Sequence, residues 1–349
     1  MSEITLSRRS LALGLPLFGL AASAGVSAFG AQTPSIDAEM TGWITSLHDP
    51  VMIREKGLWH VFGSGGWQGA GLMSWRTSPD LVTWTNNGPV FDALPAWTSR
   101  VPGANSCWAP DISYVDGHFQ LYYAVSTGGS MRSAIALATS KTLDKTSPDY
   151  GWTDQGMVLE THPGDGYNAI DPNFFEDATG KRWLAFGSYW TGLKLIALDH
   201  ATGKPHPGDK TLHSLAYRPA PDGGDNAIEA SFLYRHGGYY YLFASYDHCC
   251  QKMQSNYYVA CGRSKSVTGP YVDRDGRSLM DGYGTSVVYD RPYRSHRFIA
   301  PGHCAVVADG TRDLLVYHAY DTKNGAEPTL RISPIVWDSQ GWPGVMIDL

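Results

Sequence analysis

The sequence predicts an all-β fold, a five-bladed β-propeller, and three observations carry that expectation. Asp49, Asp111, Asp171, Glu229 and His303 recur roughly every 60 residues, each six to nine residues ahead of a glycine turn that opens an aromatic strand. A period this long suits a propeller blade better than a helical solenoid unit, whose repeats run ~20 to 47 residues. The composition agrees: 43% of the 349 residues are hydrophobic, only 17% are charged, and 39 Gly accompany 12 Trp and 20 Tyr, which suits short strands and tight turns. After the N-terminal leader no segment sustains a helical period.

The leader is the first element. Ser7-Arg8-Arg9-Ser10 precedes an uncharged run from Leu11 to Ala31, so residues 1–31 read as an export signal of twin-arginine type, with cleavage expected after Val26-Ser27-Ala28. The folded part, residues 36–349, is then extracytoplasmic, secreted or periplasmic. Blades are expected near residues 40–100, 105–160, 168–220, 226–285 and 298–349. Their inner hairpins turn at Lys56-Gly57, Asp116-Gly117, Thr179-Gly180, Gly237-Gly238 and Asp309-Gly310, where glycine supplies a positive φ. The second strands follow as Leu58 to Gly63, His118 to Val125, Lys181 to Gly187, Tyr239 to Ser245 and Asp313 to Tyr320. Third and fourth strands are expected at Ser133 to Ser140 and Trp152 to Leu159 in blade 2, and at Tyr257 to Ser264 and Gly269 to Asp273 in blade 4. The wider gap before His303 holds Asp273 to Ile299, read as an insertion that shapes one side of a groove.

Net charge is -6, with no basic stripe to neutralise phosphates, which argues against nucleic acid as a partner. No stable membrane partner is expected, and the chain is expected to act as a monomer. The five cysteines, Cys107, Cys249, Cys250, Cys261 and Cys304, form no metal-type C-x-x-C pair. The odd number leaves at least one without an internal partner. Buried or half-buried thiols with at most one bridge are expected, since adjacent Cys249 and Cys250 could join only in an unusual geometry.

In a propeller the innermost strands start near the central axis, so the five lead residues are expected to converge on one funnel. Several carboxylates at one register repel and desolvate one another, an arrangement that suits split pKa values. Glycosidic bonds are cleaved by such pairs: one carboxyl protonates the leaving oxygen while the other activates water or attacks the sugar. Asp49 and Asp171 each precede a proline, which favours extended backbone and a fixed direction for the carboxylate. Glu229 follows Ile228, an aliphatic neighbour expected to help raise its pKa.

Six strings carry a resemblance: His48-Asp49-Pro50, Trp108-Ala109-Pro110-Asp111, Asn168-Ala169-Ile170-Asp171-Pro172, Glu229-Ala230, Gly262-Arg263-Ser264 with Thr268-Gly269-Pro270-Tyr271, and Pro301-Gly302-His303. In this order and at one-blade spacing they resemble glycoside hydrolase family 43, in particular its endo-1,5-α-L-arabinanases. The Cys249-Cys250 pair and Leu315-Val316-Tyr317-His318-Ala319-Tyr320-Asp321 add to it. The resemblance implies an inverting hydrolase of arabinan with Asp49 as general base, Glu229 as general acid and Asp171 as orienting residue and pKa modulator. An inverting pair of carboxyls is expected about 6.5 to 9.5 Å apart. It also implies that His303 meets a calcium ion coordinated mostly by water. Two positions depart from the family pattern. Ser231 follows Ala230 where relatives often carry proline, and Cys304 follows His303, setting a thiol beside the implied ligand.

Trp108 is the expected stacking platform, Trp190 a second candidate, and Asn168 and Ser188 candidate partners for sugar hydroxyls; Asp111 either joins them or caps a turn. His48 is read as a structural hydrogen-bond partner of the base. Trp59, Trp75, Trp84, Trp152, Trp183, Trp337 and Trp342 are assigned to blade packing. Competing readings are an exo-acting arabinofuranosidase or β-xylosidase of the same family, a non-catalytic carbohydrate-binding propeller, and a retaining fructan-acting enzyme. The last should carry Arg-Asp-Pro, where this chain has Arg274-Asp275-Gly276. A chain ending at Leu349 leaves no room for a capping β-sandwich, which favours endo action.

Overall fold

A computed structural model describes residues 40–66, 72–220, 224–288, 297–310 and 312–345. The proposed export signal lies outside them. Five sheets follow one another along the chain, one per blade, antiparallel except where Thr41–Gly42 joins the edge of blade 1 in parallel, and the two inner strands of each pair across its glycine turn. Blade 1 spans Thr41–Pro89, blade 2 Trp108–Thr161, blade 3 Asn173–Ala216, blade 4 Ile228–Val288 and blade 5 Phe298–Val345. Both turn residues have positive φ at Lys56-Gly57, Asp116-Gly117 and Gly237-Gly238, the mirror-image turn that matches strand twist.

The cores lie between blades. Phe62 and Trp75 meet Leu121 and Tyr123 at the first interface, Tyr122 meets Leu184 at the second, and Leu195 meets Leu242 at the third. Phe243 meets Leu315 at the fourth, while Leu47 and Val61 meet Leu330 and Ile332 at the seam between blades 5 and 1. Trp59, Trp75, Trp84, Trp183 and Trp342 are buried, as assigned, and Trp152 and Trp337 pack half-buried against these clusters. The seam is closed by residues 43–47 of blade 1, ahead of its inner strand Val51–Glu55. Leu47 N–H donates to Pro328 O and Leu330 N–H to Ile44 O, while buried Arg76 donates to Trp43 O and Ser46 O, each at 2.9 Å.

Side chains also stitch each blade to the next. Ala109 N–H donates to Ser64 Oγ (2.8 Å), Ala230 N–H to Asp171 Oδ2 (3.2 Å), His303 N–H to Ser245 Oγ (2.8 Å) and Asp49 N–H to His318 Nδ1 (3.2 Å). Between blades 2 and 3 the stitch is Asp111, whose carboxylate accepts from Asn173 Nδ2 (3.0 Å) and Phe174 N–H (2.8 Å).

Three expectations about elements are corrected. Gly269 to Asp273 is not a strand; Val272 makes only isolated bridges, and the fourth strand of blade 4 is Thr285–Val288. The described residues of the long gap before His303 include that strand and the short helical turn Leu279–Asp281, and none of them lines the central cavity. Asp49 and Asp171 are not extended: φ is 53° and 54°, the left-handed region, despite the proline that follows each. Such strain persists where surrounding bonds over-determine it. At Asp49 the backbone amide and both carboxylate oxygens are held by other residues.

Candidate active site

The strands converge on a cavity of about 860 Å³ lined by residues from all five blades, among them Asp49, Trp108, Asn168, Asp171, Ser188, Trp190, Glu229 and His303. The inner strands reach it irregularly. The ladder shifts between Glu229 and Phe232, between Trp108 and Asp111, and between Ile299 and Gly302, and these bulges turn side chains toward the axis.

Asp49 sits among three imidazoles. Its Oδ1 lies 2.8 Å from His48 Nδ1 and 3.0 Å from His303 Nδ1, while Oδ2 accepts from the Ser64 hydroxyl. His318 accepts the Asp49 amide and stacks on His48 at 3.8 Å between ring centres. Burial pushes the Asp49 carboxyl up, but the charges and hydrogen bonds of His48 and His303 outweigh it and hold it well below the usual carboxylate range. Burial pulls His303 down, yet Asp49, with Asp171 and Glu229 behind it, carries that ring up to about 9. His318 shows the opposite: burial and repulsion from neighbouring His48 keep it well below its ordinary value.

Across the cavity Glu229 is fixed at both oxygens. Ser188 Oγ donates to Oε2 and the Tyr257 hydroxyl to Oε1, each at 2.6 Å. Ser188 arrives there because its loop pairs with the Glu229 strand, and Tyr189 N–H donates to Ile228 O. Ile228 does not pack on the Glu229 carboxyl as expected; it is fully buried in the core between blades 3 and 4, on the other face of the strand. Tyr257 is held as a neutral phenol, its pKa raised well above 10 by burial and the Glu229 and Asp171 charges. Asp171 stands beside this pair and, through the Ala230 amide, braces the backbone next to Glu229. Burial raises its carboxyl far above the ordinary value; His303 opposes the shift, and the Glu229 and Asp49 charges add to it.

Paired carboxylates in a cavity, one held ionised and one held by two hydroxyls, are what acid–base cleavage of a glycosidic bond needs. The model of glycosyl hydrolases family 43 matches residues 44–343. The chain belongs to this family. Among curated relatives, an extracellular endo-alpha-(1->5)-L-arabinanase of Bacillus subtilis is 41% identical over 317 residues, covering 89% of this chain and 92% of the relative. An extracellular exo-alpha-(1->5)-L-arabinofuranosidase of Cellvibrio japonicus is 40% identical over 308 residues, covering 86% of each. Among solved structures, a Cellvibrio cellulosa alpha-L-arabinanase complexed with arabinohexaose superposes with a TM-score of 0.80 at 38% identity, covering 87% of this chain and 96% of that one. This family-43 chain is a glycoside hydrolase of the arabinanase group.

Other predicted residues of the family-43 site fall into place unevenly. Asp111 does not line the cavity; it is 4% exposed, spends its oxygens on the stitch to blade 3, and burial raises its pKa to about 6. The ring of five polar leads is therefore three carboxylates and a histidine. Trp108 and Trp190 reach the cavity half-buried, and buried Asn168 lines it with Oδ1 unpartnered among the described residues. The Cys304 thiol points into the core between blades 4 and 5, not toward His303. The disulfide joins Cys249 to Cys250 on a cavity-lining loop, while Cys107, Cys261 and Cys304 are buried thiols. The chain turns back at Cys250, where φ is 65°, so neighbouring residues close the bridge that the sequence left improbable.

Sequence reasoning missed Ser64, Tyr257, His318 and Tyr320 as supports of the site. One signal for Tyr257 was available: a Cβ on Gly302, in Pro301-Gly302-His303, would overlap the Tyr257 ring.

Proposed function

We propose that the protein is an exported, inverting endo-1,5-α-L-arabinanase. One observation carries the reading: Asp49, Asp171 and Glu229 face one cavity, with the first stripped of its proton by two imidazoles and the last cradled by two hydroxyls. Asp49 is the general base. His48, His303 and Ser64 fix its orientation and leave it an oxygen lone pair for water. Glu229 is the general acid, protonating the leaving sugar oxygen from a position that Ser188 and Tyr257 define. Asp171 orients substrate and, sharing the cavity's charge, modulates Glu229. Trp108 and Trp190 offer stacking faces, and the Asn168 acceptor suits a sugar hydroxyl. The names of the relatives support arabinan as substrate and an extracellular site of action; the arginine pair and uncharged run of residues 1–31 support export by the twin-arginine route.

We also propose a calcium ion here. His303 offers one nitrogen, Nδ1 being committed to Asp49, and it belongs to neither of the two three-residue metal-type groupings among the described residues. That donor set fits an ion whose shell is mostly water. When bound, the ion supplies a fixed positive charge beside the base, and its binding requires the ring to release its proton. Calorimetric titration of calcium into chelator-treated protein should show binding that His303→Ala abolishes; unchanged binding in the variant removes His303 from the site.

The exo reading has its own support in the 40%-identical exo-acting relative. Linear arabinan separates the two. Endo action gives a spread of oligosaccharides and an early fall in viscosity, and the newly formed anomer is inverted by proton NMR. A single short product from the outset supports exo action, and release from xylan alone overturns the arabinanase reading.

A further inference from the structure

We infer that the Cys249–Cys250 loop positions the catalytic base through a one-directional hydrogen-bonded chain from Cys250 to Tyr320 to His48 to Asp49. The inference rests on the reading of Asp49 as base and goes beyond it. Cys250 N–H donates to the Tyr320 hydroxyl oxygen at 2.8 Å. That oxygen already accepts from the loop, so the phenol's own hydrogen goes to His48 Nε2, 2.8 Å away. A ring nitrogen that accepts leaves the hydrogen on its partner, so His48 Nδ1–H donates to Asp49 Oδ1 across 2.8 Å.

The chain has little freedom to rearrange. His48 is 4% and Tyr320 1% exposed, and His48 is stacked on His318. Were Tyr320 to lose its hydrogen bond, His48 could carry its proton on Nε2 and turn the Nδ1 lone pair toward the carboxylate. The loop end of the chain is the exposed one. Cys250 is held in the left-handed region at φ 65°, its sulfur 3.8 Å from His48 Nε2, and the bond to Cys249 ties it there. Tyr320 and His48 are thus positioning residues, and the disulfide is their anchor. A dithiol reductant opens the sulfur–sulfur bond to two thiols and is itself oxidised to a cyclic disulfide, two hydrogens passing to the cysteines. Nothing else in the chain changes covalently, so a loss of rate on reduction reports the anchor.

The test compares wild type, Tyr320→Phe and Asp49→Asn, using nitrogen-15 NMR of the His48 ring and steady-state kinetics with and without dithiothreitol. The wild-type ring should carry its hydrogen on Nδ1. Tyr320→Phe should lose that pattern and about tenfold in kcat with KM within about twofold, the signature of an interaction that matters to the rate and not to substrate binding. Dithiothreitol should slow the wild type severalfold and leave Tyr320→Phe unchanged. An unaltered ring pattern in Tyr320→Phe with wild-type kcat, or equal slowing of both proteins by reductant, overturns the chain. Activity surviving in Asp49→Asn instead overturns Asp49 as base, so the two failures are distinguishable. If Tyr320→Phe loses its circular dichroism spectrum, the Cys249→Ser/Cys250→Ser double variant takes its place: folded and slowed as the reduced wild type is, it supports the anchor, and at full rate it overturns it.

Discussion

At the scale of single residues the site works by placing donors around two carboxylates. Asp49 takes hydrogen bonds at both oxygens and stays ionised; Glu229 accepts from two hydroxyls, one at each oxygen. Asp49→Asn and Glu229→Gln should each lower kcat by roughly 10²- to 10⁴-fold with little change in KM, measured on linear arabinan. A change in KM alone would make them binding residues. Gly302 has a less obvious role. Gly302→Ala should destabilise the protein by about 1 to 3 kcal/mol in urea unfolding and lower kcat, since the added Cβ displaces the Tyr257 ring that donates to Glu229. Asp49, Asp171 and Glu229 were legible because their side chains and flanking strings lie in the sequence. Tyr257, Ser64 and Tyr320 were not: Ser64 and Tyr257 share a blade with the carboxylate each serves but stand 15 and 28 residues away on another strand or loop, Tyr320 reaches Asp49 from blade 5 through His48, and nothing in local sequence links them.

At the scale of elements, each blade is joined to the next by a polar stitch near the start of its inner strand, and Asp111 is the stitch between blades 2 and 3. Its pKa is raised to about 6 by burial. A carboxyl raised in the folded state contributes stability that is complete below the unfolded pKa near 3.8 and is lost as pH rises through the folded value. The stability of wild type relative to Asp111→Asn should therefore fall between about pH 4 and pH 6 and be level above; a difference that rises over that window contradicts the assignment. Asp111 looked like the other lead residues because the sequence shows spacing alone. The two-residue offset of its side chain relative to the bulge at Ala109 decides that it points into the blade interface. The same limit misplaced the outer strand of blade 4, since Gly269 to Asp273 has strand-like neighbours but pairs only at Val272.

At the scale of the whole molecule the ring is closed by residues 43–47, ahead of the inner strand of blade 1, and the buried Arg76 clamps them. Arg76→Met should destabilise by about 2 to 5 kcal/mol, because two carbonyls at the seam lose their donor, with kcat per folded molecule retained. Unfolding followed by both denaturant and activity would show it, and loss of activity before unfolding would place Arg76 in the site.

The sequence by itself determined the number of blades, their order and turns, and the identity of three carboxylates and a histidine, because period, glycine turns and residue type are written along one chain. Only the tertiary structure decided which leads face the cavity, which hydroxyls and imidazoles hold them, and that neighbouring cysteines form the disulfide. Those outcomes depend on bulge register and on contacts between blades, and neighbours in space there are strangers in sequence.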